Sequence, residues 1–439
     1  MALSDSHPTH PTAIRGDDES RLGLFAWAMY DWACSAFSAV IQTFVFAAYF
    51  AQRVAQDATT GTTQWGHALG AAGALVAVGG PILGAVADQG GRRKPWIALF
   101  TAICVAATAM LWFVKPDPSF VIPALVLVAV ATVSEECAVI FYNAMLPTLT
   151  TPRRMGRWSG WAWGLGYFGG LVCLAVALGG FVGLGQPWFD LPTDQGQHVR
   201  ATFLLAAGWY GLFALPLFFL TPDTPSTGKP LAAAVRDGLR QLGDSIRQVR
   251  RYAPIARFLV ARMIFIDGLA TVFAFGGIYA AGTFHMTETQ ILLFGIGLNL
   301  TAGLGAAAFA WVDDWIGGKR TILISLVGLI VPGTAMLLVR SQAWFWGYGL
   351  ILGVFVGPVQ AAGRSWLGRM APAELRNQMF GLYALSGKAT AFAGPLLVGT
   401  ITAFTGSTRA GMSIVVVMFA LGLGLMLTVP SDRQAMAQR

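Results

Sequence analysis

The chain is 439 residues long, apolar to 55% and charged to only 11%, with a formal net charge of +8. A soluble domain carries about 25% charge, so these proportions exclude an ordinary soluble enzyme or binding module. The positive excess is spread over many loops rather than gathered on one face, which argues against nucleic acid as a partner.

Residues 1–22 are polar and include Asp17, Asp18 and Glu19, the wrong composition for the basic start of a cleavable signal peptide. A disordered tail is expected there. Twelve apolar stretches of membrane-crossing length follow, at about 24–52, 65–87, 95–114, 120–146, 158–181, 199–220, 256–282, 289–312, 320–339, 344–366, 378–402 and 410–429. Their length favours helices over barrel strands, which need only about ten alternating residues. The predicted organisation is a six-helix half (23–221), a linker (222–254), a second six-helix half (255–430) and a short tail (431–439).

In the linker, Pro222, Pro225, Gly228 and Pro230 stop the sixth helix. Val235, Leu239, Leu242, Ile246 and Val249 then recur at spacings of four and three, one stripe of a helix, while Arg236, Arg240, Arg247, Arg250 and Arg251 take other positions. This pattern fits an interfacial helix lying on an anionic lipid leaflet. A solvated linker helix is the alternative.

Lys and Arg set the orientation. With Met1 cytoplasmic, the outer loops carry only Arg53, Lys115, Arg200, Arg340 and Arg409, and Arg262 and Lys388 fall within spans. The rest of the 29 basic residues then lie on the cytoplasmic side, so both termini are expected there, in a bacterial-type inner membrane. Cys34, Cys104, Cys137 and Cys173 all fall inside spans with no CxxC spacing, and read as small packing residues. No HExxH, GxSxG or P-loop string occurs, so neither a cofactor nor an enzymatic reaction is expected.

Two distant strings match. Gly84-Ala85-Val86-Ala87-Asp88 runs into Gly91, Arg92 and Arg93; Ala310-Trp311-Val312-Asp313-Asp314 runs into Gly317, Lys319 and Arg320. Each closes an apolar helix with Asp, a Gly turn and a basic cluster, and Asp88 aligns with Asp314. Tyr30-Asp31-Trp32-Ala33 likewise aligns with Ile266-Asp267-Gly268-Leu269. Repeated halves with a site between them are a common transporter plan.

These repeats resemble the major facilitator superfamily. Tyr30-Asp31-Trp32-Ala33-Cys34-Ser35-Ala36-Phe37, the run Phe141 to Pro147, the run Ser159 to Gly170, and the strings Gln360 to Ser365 and Phe380 to Thr390 resemble one branch of it. That branch is the unknown-major-facilitator family, which includes the autophagy-related vacuolar amino-acid effluxers. Cys34 stands where that family more often has Asn, and Gln89 where the first turn usually carries a basic residue. The resemblance implies an all-α integral membrane protein of the major facilitator fold, with twelve transmembrane helices in two pseudo-symmetric halves. It also implies a monomer, and a first and seventh helix facing each other across a central cavity.

A charge within a span costs at least about 2.5–3.5 kcal/mol on insertion scales, so each needs a reason. Asp31 and Asp267 are candidates to bind a substrate ammonium or to carry a coupling proton; alternatively Asp31 accepts interhelical hydrogen bonds and Asp267 pairs with Arg262. Glu135 and Glu136 point about 100° apart on one helix, so at most one faces a cavity squarely. A pair between either and Lys388 is a candidate gate, with a static pair as the alternative. Arg364 is either an attractor for a substrate carboxylate or a topology anchor. Tyr142, Asn143, Tyr167 and Gln360 are candidate solute ligands or interhelical hydrogen-bonders. Trp32 and Trp163, deep and near polar groups, are candidate ammonium-holding faces. Asp88, Arg92, Arg93, Asp314, Lys319 and Arg320 are candidate gate residues, each Asp meeting the positive N-terminus of a helix in the other half.

Together these readings predict a transporter that moves a small organic solute by alternating access, coupled to protons, with amino-acid efflux as the leading function. Another polar metabolite or short peptide is the alternative cargo, and a non-transporting receptor of the same fold the alternative class.

Overall fold

The computed structural model describes residues 20–182, 188–193, 195–247, 252–286, 288–391 and 393–431. Residues 1–19 and 432–439, most of the two expected tails, lie outside them, as do the side chains of Ile246, Arg247, Val249, Arg250, Arg251 and Lys388.

The described residues are helical with no strand. Helix α1 (Arg21–Ala36) runs on to Val54 through π-helical stretches at Phe37–Phe44 and Phe50–Val54. There follow α2 (Ala58–Gly90), α3 (Lys94–Met110), α4 (Val121–Leu149), α5 (Met155–Ala177) and α6 (Gln197–Leu220). The linker forms α7 (Leu231–Arg247). The second half comprises α8 (Ala253–Phe284), α9 (Glu288–Ile316), α10 (Gly318–Leu338), α11 (Gln342–Met370), α12 (Arg376–Lys388), α13 (Ala393–Thr405) and α14 (Thr408–Leu427).

Eleven of these are long and apolar enough to cross a membrane. The span expected at 378–402 differs: it is divided into α12 and α13 around a turn at Ala389–Ala391. Pro395 accounts for the division. It has no N–H to give, and its ring clashes with the carbonyl four residues back, that of Ala391.

The halves meet in two equivalent crossings, α2 against α12 and α5 against α9. Small residues make the approach close. A Cβ on Gly381 would sit 2.5 Å from the Gly80 carbonyl oxygen, and one on Gly160 2.6 Å from that of Ala306. Without a hydrophobic force between helices in lipid, such backbone contact supplies the packing energy. The matched turns also agree in backbone: Gly91 has φ +83° and Gly317 φ +92°, in the left-handed region that favours glycine.

Helix α7 packs on α2 through buried Ala234 and Gly238, and leaves Val235 and Leu239 exposed beside exposed Arg236 and Arg240. Its Gln241 accepts from Gln89 of α2 and donates to Gln378 of α12, so the linker touches both halves.

Candidate functional site

Arg364 of α11 is the centre of the polar interior. It is 2% exposed, and its guanidinium enters the first half. Nη1 donates to Asp31 Oδ2 at 2.9 Å and to Asn143 Oδ1 at 3.2 Å. Nε donates to Ser159 Oγ at 2.9 Å and Nη2 to the Ser159 carbonyl at 2.6 Å. The rings of Trp27, Tyr142 and Trp163 stand 5.1, 5.7 and 5.7 Å from its central carbon, within cation–π range. A buried cation is tolerable only when paired and hydrogen-bonded, and here every nitrogen has an acceptor. The Asp31–Arg364 pair therefore joins α1 to α11 across the halves.

This pair forms part of the wall of a cavity of about 380 Å³. Helical periodicity decides which residues reach it. Glu135, Val139 and Asn143 lie four apart on one face of α4; Trp163, Tyr167, Gly170 and Leu174 share a face of α5; Gln360 and Arg364 are one turn apart on α11. Gln360 Nε2 donates to the Tyr167 hydroxyl at 2.9 Å, a second contact between the halves. On α1 the π-helical turn beginning at Phe37 carries Ser38, Ala39, Thr43 and Phe44 into the wall; Thr43 Oγ1 donates to the Ser38 carbonyl five residues back. Single π-helical turns of this kind favour functional sites.

A second cavity of about 420 Å³ shares Thr43, Phe44, Phe273 and Asn299 with the first. Its remaining lining is almost wholly apolar and comes from the second half, including Val272, Phe294, Leu298, Phe345, Met412 and Phe419. The two adjoin at these four side chains, the first carrying the charged groups of both halves and the second almost wholly apolar.

Several expected site residues lie elsewhere. Trp32 turns away from the cavity and stacks on Trp209 of α6 at 5.7 Å. Tyr142 is fully buried between Trp27 and Tyr30, with ring centroids at 4.6 and 4.9 Å, and does not line the cavity. Glu136 is off the lining face, and Glu135 is on it. Asp267 lines neither cavity and does not pair with Arg262. Its Oδ2 accepts from Gly394 N at 3.2 Å, while Arg262 donates to the Tyr383 carbonyl and Ser386 and lies over the Tyr383 ring. The expected gate between Glu135 or Glu136 and Lys388 falls on a side chain outside the described residues. Arg364 is not a loop anchor but an interior residue, each of whose nitrogens already has an acceptor.

The end of the molecule bearing the basic turns is closed by two matched contacts. Asp88, at the end of α2, accepts from Asn377 N at 3.0 Å, Asn377 Nδ2 at 2.6 Å and Gln378 N at 2.9 Å, the first free donors of α12. Asp314, at the end of α9, accepts from Arg157 N of α5 at 3.0 Å and forms an ion pair with its Nε at 3.3 Å. A carboxylate at a helix N-terminus gains from the positive end of the helix dipole. Arg93 is buried beneath its turn and donates to Asn377 Oδ1 at 3.0 Å; burial lowers its pKa to about 10, against the pull of Asp88.

The other expected gate cations do not cross. Arg92 and Arg320 are exposed, and Lys319 donates to the Leu427 carbonyl of its own half. Arg369 holds Asp313 at 2.6 Å and approaches Asp314 at 3.6 Å. The sequence reading passed over Arg157, Asp313, Arg369 and Asn377. Arg369 and Asp313 carried the available signal, being charges at span ends next to a turn already singled out.

The family described as vacuole effluxer Atg22 like matches residues 68–157 and 153–439, most of the chain. The chain belongs to that family. The chain is also 25% identical over 410 residues to the uncharacterized MFS-type transporter YxiO of Bacillus subtilis, covering 93% of this chain and 94% of that one. It is 26% identical over 300 residues to autophagy-related protein 22-1 of Penicillium rubens, covering 63% of this chain and 49% of the fungal protein, so it spans about half of that relative's length. Among solved structures, the proton:xylose symporter XylE superposes with a TM-score of 0.74 at 14% identity, over 95% of this chain and 97% of that one. The human organic anion transporter MFSD10 superposes with a TM-score of 0.71 at 15% identity, over 92% and 99%. The Atg22-like chain is thus a multi-pass membrane transporter with the major facilitator fold.

Proposed function

We propose that this chain exports small zwitterionic solutes, amino acids foremost, by alternating access coupled to protons. The single observation that carries the reading is the two-pole cavity. Asp31, Glu135 and Arg364 sit at one pole with Asn143 and Gln360, and an apolar chamber adjoins it across Thr43, Phe44, Phe273 and Asn299. Each Arg364 nitrogen already has an acceptor, so a solute ammonium meets the two carboxylates, and its side chain extends toward Phe273 and the apolar pole. A mostly apolar pocket with a few placed polar groups is the usual form of a small-molecule site.

In this reading the basic end is cytoplasmic, by the excess of Lys and Arg in its loops, and the membrane is a bacterial-type inner membrane. The protein acts as a monomer. The halves are 23–221 and 255–430, and the Asp88 and Asp314 contacts hold the cytoplasmic side shut in this conformation. The linker helix rests on anionic lipid through Arg236 and Arg240, its exposed Val235 and Leu239 entering the headgroup boundary. The description of the family and the name of the proton symporter support efflux and proton coupling respectively.

The test is flux of a labelled amino-acid panel in proteoliposomes, with and without a proton gradient, for the native chain and for Asp31→Asn. Gradient-driven flux that disappears in the variant is expected. Absence of flux for every amino acid would remove the cargo assignment.

A further inference from the structure

Asp31 and Asp267 occupy matching positions in the two repeats, yet among the described residues only Asp31 has a cation. Resting on the proton-coupled reading above, we propose that Asp267 is the proton-carrying residue of this transporter, held protonated in the present conformation at the break between α12 and α13.

The surroundings of Asp267 argue this. The residue is 3% exposed. One oxygen, Oδ2, accepts a single N–H, that of Gly394 at 3.2 Å; the other, Oδ1, has no hydrogen-bond partner among the described residues. The nearest hydroxyl offers no help, because Thr271 Oγ1 donates to the Asp267 backbone carbonyl at 2.8 Å. Gly394 leaves the carboxyl its room: a Cβ there would lie 3.1 Å from Oδ1 and 2.0 Å from Thr271 Oγ1.

Charged groups on the neighbouring helices are engaged elsewhere. Arg262 of α8 goes to Tyr383 and Ser386, and Arg364 of α11 to Asp31. Arg369 goes to Asp313 beside Asp314 of α9, Arg376 opens α12 at the basic end, and Arg409 of α14 reaches the Val339 carbonyl near the opposite end. Helix α13 carries no charged residue. Arg257 of α8 reaches the Thr428 carbonyl, and Lys388 has its side chain outside the described residues, so the experiment includes it. An ionised carboxyl with one donor for two oxygens is strongly disfavoured in a dry interior, and the neutral acid is the form that fits.

The position of the acid gives the proton a mechanical effect. Asp267 faces the N-terminus of a half-helix freed from α12 by Pro395. When the O–H bond breaks, the electron pair stays on the carboxylate and the proton passes to water. The new charge is then attracted to the positive end of α13. Protonation removes that added attraction and leaves the neutral acid with the single Gly394 contact seen here. The ends of half-helices in transporters often face a coupling ion.

Infrared difference spectroscopy of the purified protein at neutral pH tests the first half of the proposal. Asp267→Asn keeps the shape and the acceptor for Gly394, and should remove one carboxylic-acid C=O band; Lys388→Met should leave that band in place. No band lost in Asp267→Asn overturns the proposal. For the second half, Asp267→Asn in proteoliposomes should retain solute exchange and lose all accumulation driven by a proton gradient. Persistent gradient-driven accumulation overturns it, as does a native chain that moves solute without response to the gradient. A native chain that moves no amino acid at all instead removes the cargo assignment, while the infrared result still decides whether Asp267 holds the proton.

Discussion

The two repeats place an aspartate at the same position of their first helices, and the neighbourhoods could hardly differ more. Asp31 is bound to a guanidinium from the opposite half, in the wall of the charged pole. Asp267 lies outside both cavities, against the amide of a broken helix in its own half. A repeat fixes where a carboxyl enters the membrane; the partner brought by the other helices fixes its charge. Among the described residues Arg364 has no counterpart facing Asp267, and so the same residue type can bind at one position and carry a proton at the other.

The comparison is broken most severely by removing the cation. Arg364→Met leaves the half-buried Asp31 unpaired, a loss of up to about 3–5 kcal/mol. It should appear as a large fall in the unfolding midpoint in detergent, together with loss of transport. Asp31→Asn keeps an acceptor but leaves the more deeply buried Arg364 without a counter-ion, so its midpoint should fall as well. An unchanged midpoint in Asp31→Asn would mean that the guanidinium is held by Ser159 and Asn143 alone.

The matched seals give the next effect. Asp88 accepts three donors from α12, and hydrogen bonds to a charged group contribute about 1.5–3 kcal/mol each. Asp88→Asn should open the basic end, so that an impermeant thiol reagent applied from that side labels Val139→Cys several-fold faster. Asp314→Asn should open it less, because Arg369 keeps its bond to the Pro152 carbonyl of the first half. Labelling unchanged in both would show that the glycine crossings alone keep this end closed.

A smaller effect belongs to the linker. Gln241→Ala removes the bridge from Gln89 to Gln378, about 0.5–1.5 kcal/mol for neutral hydrogen bonds, and should raise the same labelling rate slightly. Lys319→Ala and Arg320→Ala lie outside the seals and should change neither rate nor midpoint measurably, within about 0.5 kcal/mol.

Much of the fold could be read from the sequence, because membrane helices announce themselves by apolar run length and the paired turns by a repeated string. The placement of Asp88 and Asp314 at helix N-termini was legible for the same reason: a turn, a helix end and a charge are all local. What was not legible depended on helix rotation and on partners distant in sequence. Trp32 follows Asp31 directly, and the step of about 100° turns it to Trp209 instead of the cavity. Arg364 reads as the end of a span because nothing near it in sequence says that it reaches Asp31, 333 positions away. The break at Ala391 was signalled by Pro395, but an apolar window hides it, since every flanking residue remains compatible with one continuous span.

The central claim is that the two matched aspartates divide the work, Asp31 holding the solute and Asp267 the proton. Equilibrium binding of the transported amino acid to purified native chain, Asp31→Asn and Asp267→Asn tests it most directly. The account predicts that Asp31→Asn abolishes binding while Asp267→Asn binds as the native chain does at the pH where Asp267 is protonated. Binding retained in Asp31→Asn, or lost in Asp267→Asn alone, would contradict it.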